Sequence, residues 1–154
     1  MESKLMQILE GLLIEFEEWR RRRSGKEPLI VRIHNRVVSS DRYTERGEIN
    51  LDLVSAAIYS AVEDLIHNHD VSRCLAVLTY HFVTSHPFVD GNKRTALGLL
   101  LHILHELFDD EISLPPDSLE ALITTLAEVA NNPPEEDERA INKIRSVIQR
   151  IIEG

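Results

Sequence analysis

The sequence predicts an all-α fold, because apolar residues recur with helical periodicity in most of its longer segments. Residues 5–23 and the segment from Val54 to Leu65 repeat apolar side chains at spacings of three and four, the pattern of an amphipathic helix. Residues 94–108 are apolar on nearly every face, which is typical of a helix buried inside a bundle. A chain of 154 residues with this pattern fits one domain with its own core.

Composition and charge narrow the class of protein. The formal net charge is −9, which argues against direct binding to nucleic acid. Cys74 is the only cysteine, so no disulfide can form within the chain, and its apolar neighbours predict a small buried side chain. The first residues do not resemble a signal peptide, and no apolar run reaches the ~18 residues of a membrane span. We therefore expect a cytoplasmic protein with no membrane partner.

The first predicted helix, residues 5–23, ends in four consecutive arginines. Cations are favourable at the negative end of a helix dipole, and Gly25 can take the left-handed position that follows a helix. Arg20–Arg23 fit either a solvated helix end or a docking patch for an acidic partner.

Leu29–Val38 fits a strand as well as a short helix, since its β-branched residues also have helical spacing. The polar residues from Ser39 to Asn50 predict a loop or a short hairpin.

The central helices are marked by a cap and by apolar composition. Asn50 is the expected N-cap of the helix that carries Val54–Leu65, and that helix should stop near His69. Ser72–Ser85 is mostly apolar, which predicts a helix at the centre of the bundle. The buried helix at residues 94–108 follows it.

Two more helices are expected towards the C-terminus. Asp117 and Glu120 have the spacing of a capping box at the start of the first. Pro133-Pro134, followed by acidic residues, should open the second, because proline and negative charge both suit the first turn of a helix. The apolar face of this last helix consists of isoleucines: Ile141, Ile144, Ile148 and Ile151.

The loop His86–Thr95 concentrates the chemically active residues of the chain. His86 is suited to take a proton from a hydroxyl nucleophile, because histidine ordinarily titrates near neutrality. Asp90 is a hard oxygen ligand that, together with substrate phosphates, suits Mg²⁺. A polar loop that leads into a helix can also hold an anion. We therefore expect a phosphate site with its own general base.

The anion-binding groups are expected in the second half of this loop. Gly91 and Asn92 both permit positive φ, so that successive N–H groups can point at one phosphate. Lys93 and Arg94 would neutralise the charge that develops during phosphoryl transfer. Phe88 has no chemical role and is expected to anchor the loop against the core.

Residues His86–Arg94 also match, at every specified position, the pattern His-x-Phe-x-(Asp/Glu)-Gly-Asn-x-Arg. This pattern is the signature of the Fic/Doc proteins, which the chain resembles over roughly residues 29–150. The resemblance implies a Fic/Doc-type helical bundle with a short flap, a β-hairpin, before the central helices. It divides the chain into an N-terminal helical extension, residues 1–28, and a catalytic domain, residues 29–154.

The flap is the part of the resemblance that concerns the target. In Fic proteins it grips the backbone of the protein substrate by strand addition. An ordinary surface loop is an equally good interpretation of this segment. The corresponding residues here would be Tyr43, Thr44, Glu45, Arg46, Gly47, Glu48 and Ile49.

The resemblance implies transfer from a nucleoside triphosphate to a protein hydroxyl, with Mg²⁺ as cofactor and ATP as co-substrate. Fic enzymes mostly attach AMP, whereas the Doc toxin phosphorylates a threonine of elongation factor Tu. Fic proteins carry Gly and a second Arg where this chain carries Lys93 and Leu97, as Doc does, although Gly91 is the Fic residue. We expect Doc-like phosphorylation by the toxin of a toxin–antitoxin pair, with AMP transfer as the alternative. Its partners would be a protein substrate, such as a translation factor, and an antitoxin chain.

Two other classes of protein compete with this interpretation. An HD-type metallophosphohydrolase needs histidines and aspartates around a metal, and His34, His69-Asp70 and either Asp109 or Asp110 supply those residue types. A non-catalytic binding module that keeps the fold and the flap is the other. The completeness of the loop argues against the binding module.

Overall fold

The computed structural model describes residues 1–39 and 50–154, and these residues form seven α-helices and one 3₁₀ turn. The all-α prediction is confirmed, since no strand occurs in the described part of the chain. Tyr43–Ile49, the predicted flap, lie outside the described residues. The helices are α1 (Glu2–Arg20), α2 (Leu29–Ser39), α3 (Asp52–Asn68), α4 (Val71–Ser85), α5 (Asn92–Leu107), α6 (Pro116–Val129) and α7 (Asp137–Glu153), with the 3₁₀ turn at Pro134–Glu136.

Helix α4 lies at the centre of the bundle, as its apolar sequence predicts, and packs against α3, α5, α6 and α7. Cys74 on this helix is fully buried, and its thiol donates to the Ala61 carbonyl at 3.2 Å. Burial raises the pKa of Cys74 to about 12, which makes the thiol unreactive at neutral pH. Cys74 is therefore the small core residue that its neighbours predict. Among the described helices, none combines the length and apolar character needed to cross a membrane.

Helix α1 contributes to the same core as the rest of the bundle. Leu5, Leu9 and Phe16 are fully buried, and the helix packs against α2, α3 and α5. A carboxylate oxygen of Glu15 accepts the N–H of Leu29 at 2.5 Å, so α1 supplies a partner for the first turn of α2. The N-terminal helix is thereby joined both to the core and to the next helix.

The end of α1 differs from the sequence prediction. The helix stops at Arg20, and Arg22, rather than Gly25, takes the left-handed conformation, with φ of 60°. The N–H of Arg22 bonds to the Trp19 carbonyl and that of Arg23 to the Glu18 carbonyl, which is a Schellman motif. Arg20 turns back to pair with Asp52 at the start of α3. The motif forms without glycine because both of its hydrogen bonds are made.

The predicted caps have mixed outcomes. The N-cap of α3 is Leu51 rather than Asn50, so the predicted cap is one residue early, but the Asn50 side chain still accepts the N–H of Asp52 at 2.9 Å. The capping box at Asp117 and Glu120 is wrong, because α6 already begins at Pro116 and has no side-chain cap. Pro115 is extended and Pro116 has the fixed φ of a first helical residue, so the two prolines set the start.

The C-terminal helix confirms its predicted apolar face. A 3₁₀ turn begins at Pro134 and leads directly into α7. All four predicted isoleucines are buried against the core: Ile141, Ile144, Ile148 and Ile151.

Asp70 links the central helix to the last one. Its carboxylate accepts the N–H of Arg73, which caps α4, and pairs with the Arg145 guanidinium of α7 at 2.8 Å. Partial burial raises the pKa of Asp70, but the hydrogen bond from Arg73 and the charge of Arg145 outweigh it. The pKa of the folded state is therefore below the ordinary value for aspartate.

Truncation of Leu9 tests whether α1 is part of the cooperative core. Leu9 is fully buried, so Leu9→Ala should lower the free energy of unfolding by about 2–5 kcal/mol, measured by urea denaturation. Ile14 on the same helix is 62% exposed, and Ile14→Ala should change it by less than about 0.5 kcal/mol. A Leu9 variant with an unchanged main transition and a separate early one would show that α1 unfolds independently.

Asp70→Asn should make stability less dependent on pH in the acid range. Because the pKa of Asp70 is lowered in the folded state, its charge stabilises the protein above the unfolded pKa of about 3.9. This stabilisation is lost as the pH falls through the folded pKa. The wild-type protein should thus be more stable than the variant at pH 7, and the difference should vanish at the acid end of a urea titration series. Asp117→Asn, at an exposed position without a capping bond, serves as the control.

Candidate active site

The predicted catalytic loop connects the end of α4 to the start of α5. His86 follows the last residue of α4 in a left-handed conformation, with φ of 52° and ψ of 62°, and its side chain is exposed. Phe88, two residues on, is 1% exposed and lies 6.1 Å from Phe82 between ring centroids. Phe88 therefore anchors the loop in the core, as predicted, while His86 faces solvent.

Asn92 closes the loop on itself. Its side-chain oxygen accepts the N–H of Phe88 at 3.1 Å, and its side-chain nitrogen donates to the Phe88 carbonyl at 3.0 Å. Both buried backbone groups of Phe88 are thereby satisfied. The amide of Asn92 is thus engaged by the protein, and the group of Asn92 that can still face an anion is its backbone N–H at the first position of α5.

Gly91 occupies a position that suits only glycine. Its φ is +77°, and a Cβ placed there would lie 3.1 Å from Cγ1 of Val38 and 3.4 Å from Cγ2 of Val37. The positive φ predicted for Gly91 is confirmed. The same prediction for Asn92 is wrong, because Asn92 is already the first helical residue of α5 and does not have a positive φ. The change of direction is completed at Gly91, which lets the helix begin immediately.

The predicted site residues surround one pocket of about 300 Å³ at the start of α5. The structure thus brings together every residue of the loop that was assigned a chemical role. The first N–H groups of α5 have no partner within the helix, and the positive end of its dipole lies here. The lining residues are His86, Val89, Asp90, Gly91, Asn92, Lys93 and Arg94.

The side-chain charges of Asp90 and Lys93 are available to a ligand. Asp90 and Lys93 are exposed, and neither side chain forms a hydrogen bond or ion pair with any other described residue. Leu97, one turn after Arg94, is instead partly buried against the core. A single carboxylate next to an anion site fits Mg²⁺, which is usually held by one or two carboxylates together with substrate phosphates. Asp90 is therefore the residue that could hold the metal.

The residues of the alternative metallophosphohydrolase site do not converge. Among the described residues, no group of three or more histidine, cysteine, aspartate or glutamate side chains could hold a metal. His34 bonds to the loop before α5, His69 to Glu2 and Asp109 to Lys4. The HD-type arrangement is thus absent from the described part of the chain.

His34 was considered from the sequence only as a metal ligand of the alternative hydrolase, and its contact with the loop before α5 was missed. It lies on α2, is 3% exposed, and contacts that loop at both Phe88 and Asp90. Single-sequence periodicity places His34 only within a short segment of ambiguous type. Its contact with residues more than 50 positions away has no local signal in the chain.

The fold and the pocket define a helical protein that presents a histidine, a carboxylate and a helix N-terminus around one pocket. Residues 24–104, more than half of the chain, match the sequence model of the Fic/DOC family. The chain belongs to the Fic/DOC family, whose members are generally transferases that modify proteins. Comparisons with curated proteins and with solved structures give no significant match.

Removal of the Asn92 amide should loosen the loop. Asn92→Ala leaves the buried N–H and carbonyl of Phe88 without partners, which should cost roughly 1–3 kcal/mol of unfolding free energy. Asn142→Ala removes an amide from an exposed position on α7 and should cost less than about 0.5 kcal/mol. Equal denaturation midpoints for the two variants would contradict the structural role of the Asn92 side chain.

Proposed function

We propose that this protein transfers the γ-phosphoryl group of ATP to a hydroxyl side chain of a target protein, as the Doc toxin does. The observation that carries the proposal is a pair of residues, Lys93 at the unspecified position within the motif and Leu97 three residues after it. Lys93 is exposed at the pocket, where AMP-transferring relatives carry glycine for close backbone approach. Leu97 packs against the core, where those relatives carry a second arginine for the distal phosphates. Both residues disfavour the AMP-transfer pose.

In this reaction His86 acts as the general base. The exposed imidazole takes the proton of the substrate hydroxyl as its oxygen attacks the γ-phosphorus. The bond between that phosphorus and the bridging oxygen breaks, and ADP leaves with the electron pair. The backbone N–H groups of Gly91 and Asn92, with the cationic side chains of Lys93 and Arg94, stabilise the negative charge of the transferring group.

Asp90 would hold Mg²⁺ through its exposed carboxylate. When bound, the metal neutralises negative charge on the nucleotide phosphates. The protein-built part of the site is then the loop itself: it holds the carboxylate, the base and the helix N-terminus at one pocket. The buried Phe88 ring and the two hydrogen bonds between the Asn92 amide and the Phe88 backbone keep these groups in position.

The proposal includes the cellular setting of the reaction. The protein would act in the cytoplasm as the toxin of a toxin–antitoxin pair, with a translation factor as its substrate and an antitoxin chain as its inhibitor. Residues Tyr43–Ile49 would hold the substrate by strand addition. Resemblance to the Doc branch at Lys93 and Leu97 supports this setting.

AMP transfer is the second candidate, and Gly91 favours it. Glycine is the residue of AMP-transferring relatives at this position, and here its φ of +77° and its contact with Val38 make use of the missing Cβ. In that reaction the hydroxyl would attack the α-phosphorus and pyrophosphate would leave. Gly91 favours AMP transfer, whereas Lys93 and Leu97 both favour phosphorylation, so phosphorylation is the better-supported reaction.

Label transfer from ATP distinguishes the two reactions. The purified protein and Mg²⁺ are incubated with a lysate of the cells from which the protein comes, once with α-labelled and once with γ-labelled ATP. We expect a protein band that is labelled only from the γ position. His86→Ala should lower labelling by about 10²–10⁴-fold, since general-base catalysis contributes that much. His67→Ala, an exposed histidine on α3, is the matched control and should label normally.

Label from the α position would mean that AMP transfer is the reaction and that Lys93 and Leu97 do not decide it. No His86-dependent band with either label would overturn both transferase reactions and favour a binding module.

A further inference from the structure

His34 contacts the catalytic loop in two ways. Its Nε2 lies 2.9 Å from the carbonyl oxygen of Asp90, and its ring stacks on Phe88 with 3.8 Å between centroids and 11° between planes. A carbonyl oxygen only accepts, so Nε2 carries the hydrogen and donates it. At 3% exposure, the imidazole is enclosed between α2 and the loop.

This hydrogen bond fixes the direction of one peptide group. The carbonyl of Asp90 belongs to the same planar, trans peptide as the N–H of Gly91, and the two groups point in opposite directions. A carbonyl held towards α2 therefore directs the Gly91 N–H away from α2. Gly91 is also a lining residue of the pocket, so this N–H is one of the groups that an anion there can meet.

The helix that carries His34 is itself closely fitted against α5. A Cβ on Gly98 of α5 would lie 2.9 Å from Cγ2 of Ile33, and a Cβ on Gly91 would lie 3.1 Å from Cγ1 of Val38. These two close approaches flank His34 along α2. The Glu15 bond to the Leu29 N–H holds the other end of the helix. His34 thus donates from a helix that has little room to shift.

We propose that His34 is a positioning residue: it orients the Asp90–Gly91 peptide so that the Gly91 N–H faces the phosphate while the Asp90 side chain stays at the pocket. The inference rests on the proposed phosphoryl transfer for its kinetic consequence. His34 does not touch the reacting atoms. It acts through the backbone of the loop, which places two groups of the site at once.

Two substitutions of His34 distinguish the effect of its hydrogen bond to the Asp90 carbonyl from the effect of its stacking on Phe88. His34→Phe keeps an aromatic ring next to Phe88 but removes the donor, whereas His34→Gln keeps a donor nitrogen at similar reach and removes the ring. The Phe variant should lower kcat by about 10–100-fold with little change in KM for ATP, because misplacement of a group reduces turnover without removing binding contacts. The Gln variant should recover most of this loss. His67→Gln on α3 is the control, since within the described part of the chain its ring bonds only to the Glu63 carbonyl of its own helix.

The orientation of the Asp90–Gly91 peptide group can be followed by NMR, without a measurement of enzymatic activity. Asp90–Gly91 is the only Asp-Gly pair in the sequence, so ¹³C-carbonyl aspartate with ¹⁵N-glycine gives a single linked resonance. In the wild-type protein, Mg-ATP should shift the Gly91 N–H resonance. In His34→Phe, the Asp90 carbonyl resonance should move and the response of Gly91 to Mg-ATP should fall by at least half. His34→Gln should behave as the wild-type protein does.

The possible results of these experiments distinguish a failure of the positioning role of His34 from a failure of the proposed function. An Asp90 carbonyl resonance that is the same in His34→Phe and wild type, or a Gln variant no more active than the Phe variant, would overturn the positioning role. If the Phe variant does not fold, His34→Met takes its place as the variant without a donor. A wild-type protein that transfers no phosphate but shows the expected resonance changes would overturn the proposed function and still support the role of His34 in orienting the loop.

Discussion

Burial of Phe88 is the constraint on which the site depends. His86 before Phe88 and Asp90 after it are exposed in a short loop between α4 and α5, yet the ring of Phe88 is almost fully enclosed. His34 stacks on the ring, and the Asn92 amide satisfies the backbone N–H and carbonyl that burial removes from water. An apolar side chain without chemistry of its own therefore sets the position of the histidine before it and the carboxylate after it.

Periodicity predicted most of the fold, and the loop sequence predicted the buried Phe88 and the positive φ of Gly91 but wrongly gave Asn92 a positive φ. The buried isoleucine face of α7 and the central position of α4 follow from apolar spacing, which depends on local sequence. The errors lie where tertiary contacts or a neighbouring proline decide the geometry. Arg22 takes the left-handed position without being glycine, and α6 starts at Pro116 before the predicted cap.

The contribution of His34 illustrates what one sequence does not contain. Its partners, Phe88 and Asp90, lie far along the chain, and their approach depends on how α2 packs against α5. Local spacing indicates which side of a helix is apolar, but it does not indicate which loop that side will meet. The motif predicts which groups would react, whereas the groups that hold them became visible only in three dimensions.

The buried thiol of Cys74 can report when helices α3 and α4 separate. The sulfur lies between α3 and α4, bonded to the Ala61 carbonyl, and its raised pKa keeps it protonated. An alkylating reagent can reach it only when these two helices separate, so the rate of modification follows the population of opened molecules. Since the chain has no other cysteine, that rate refers to a single place in the core. A ligand that stabilises the bundle should therefore slow the modification of Cys74, and this rate can be measured without an introduced label.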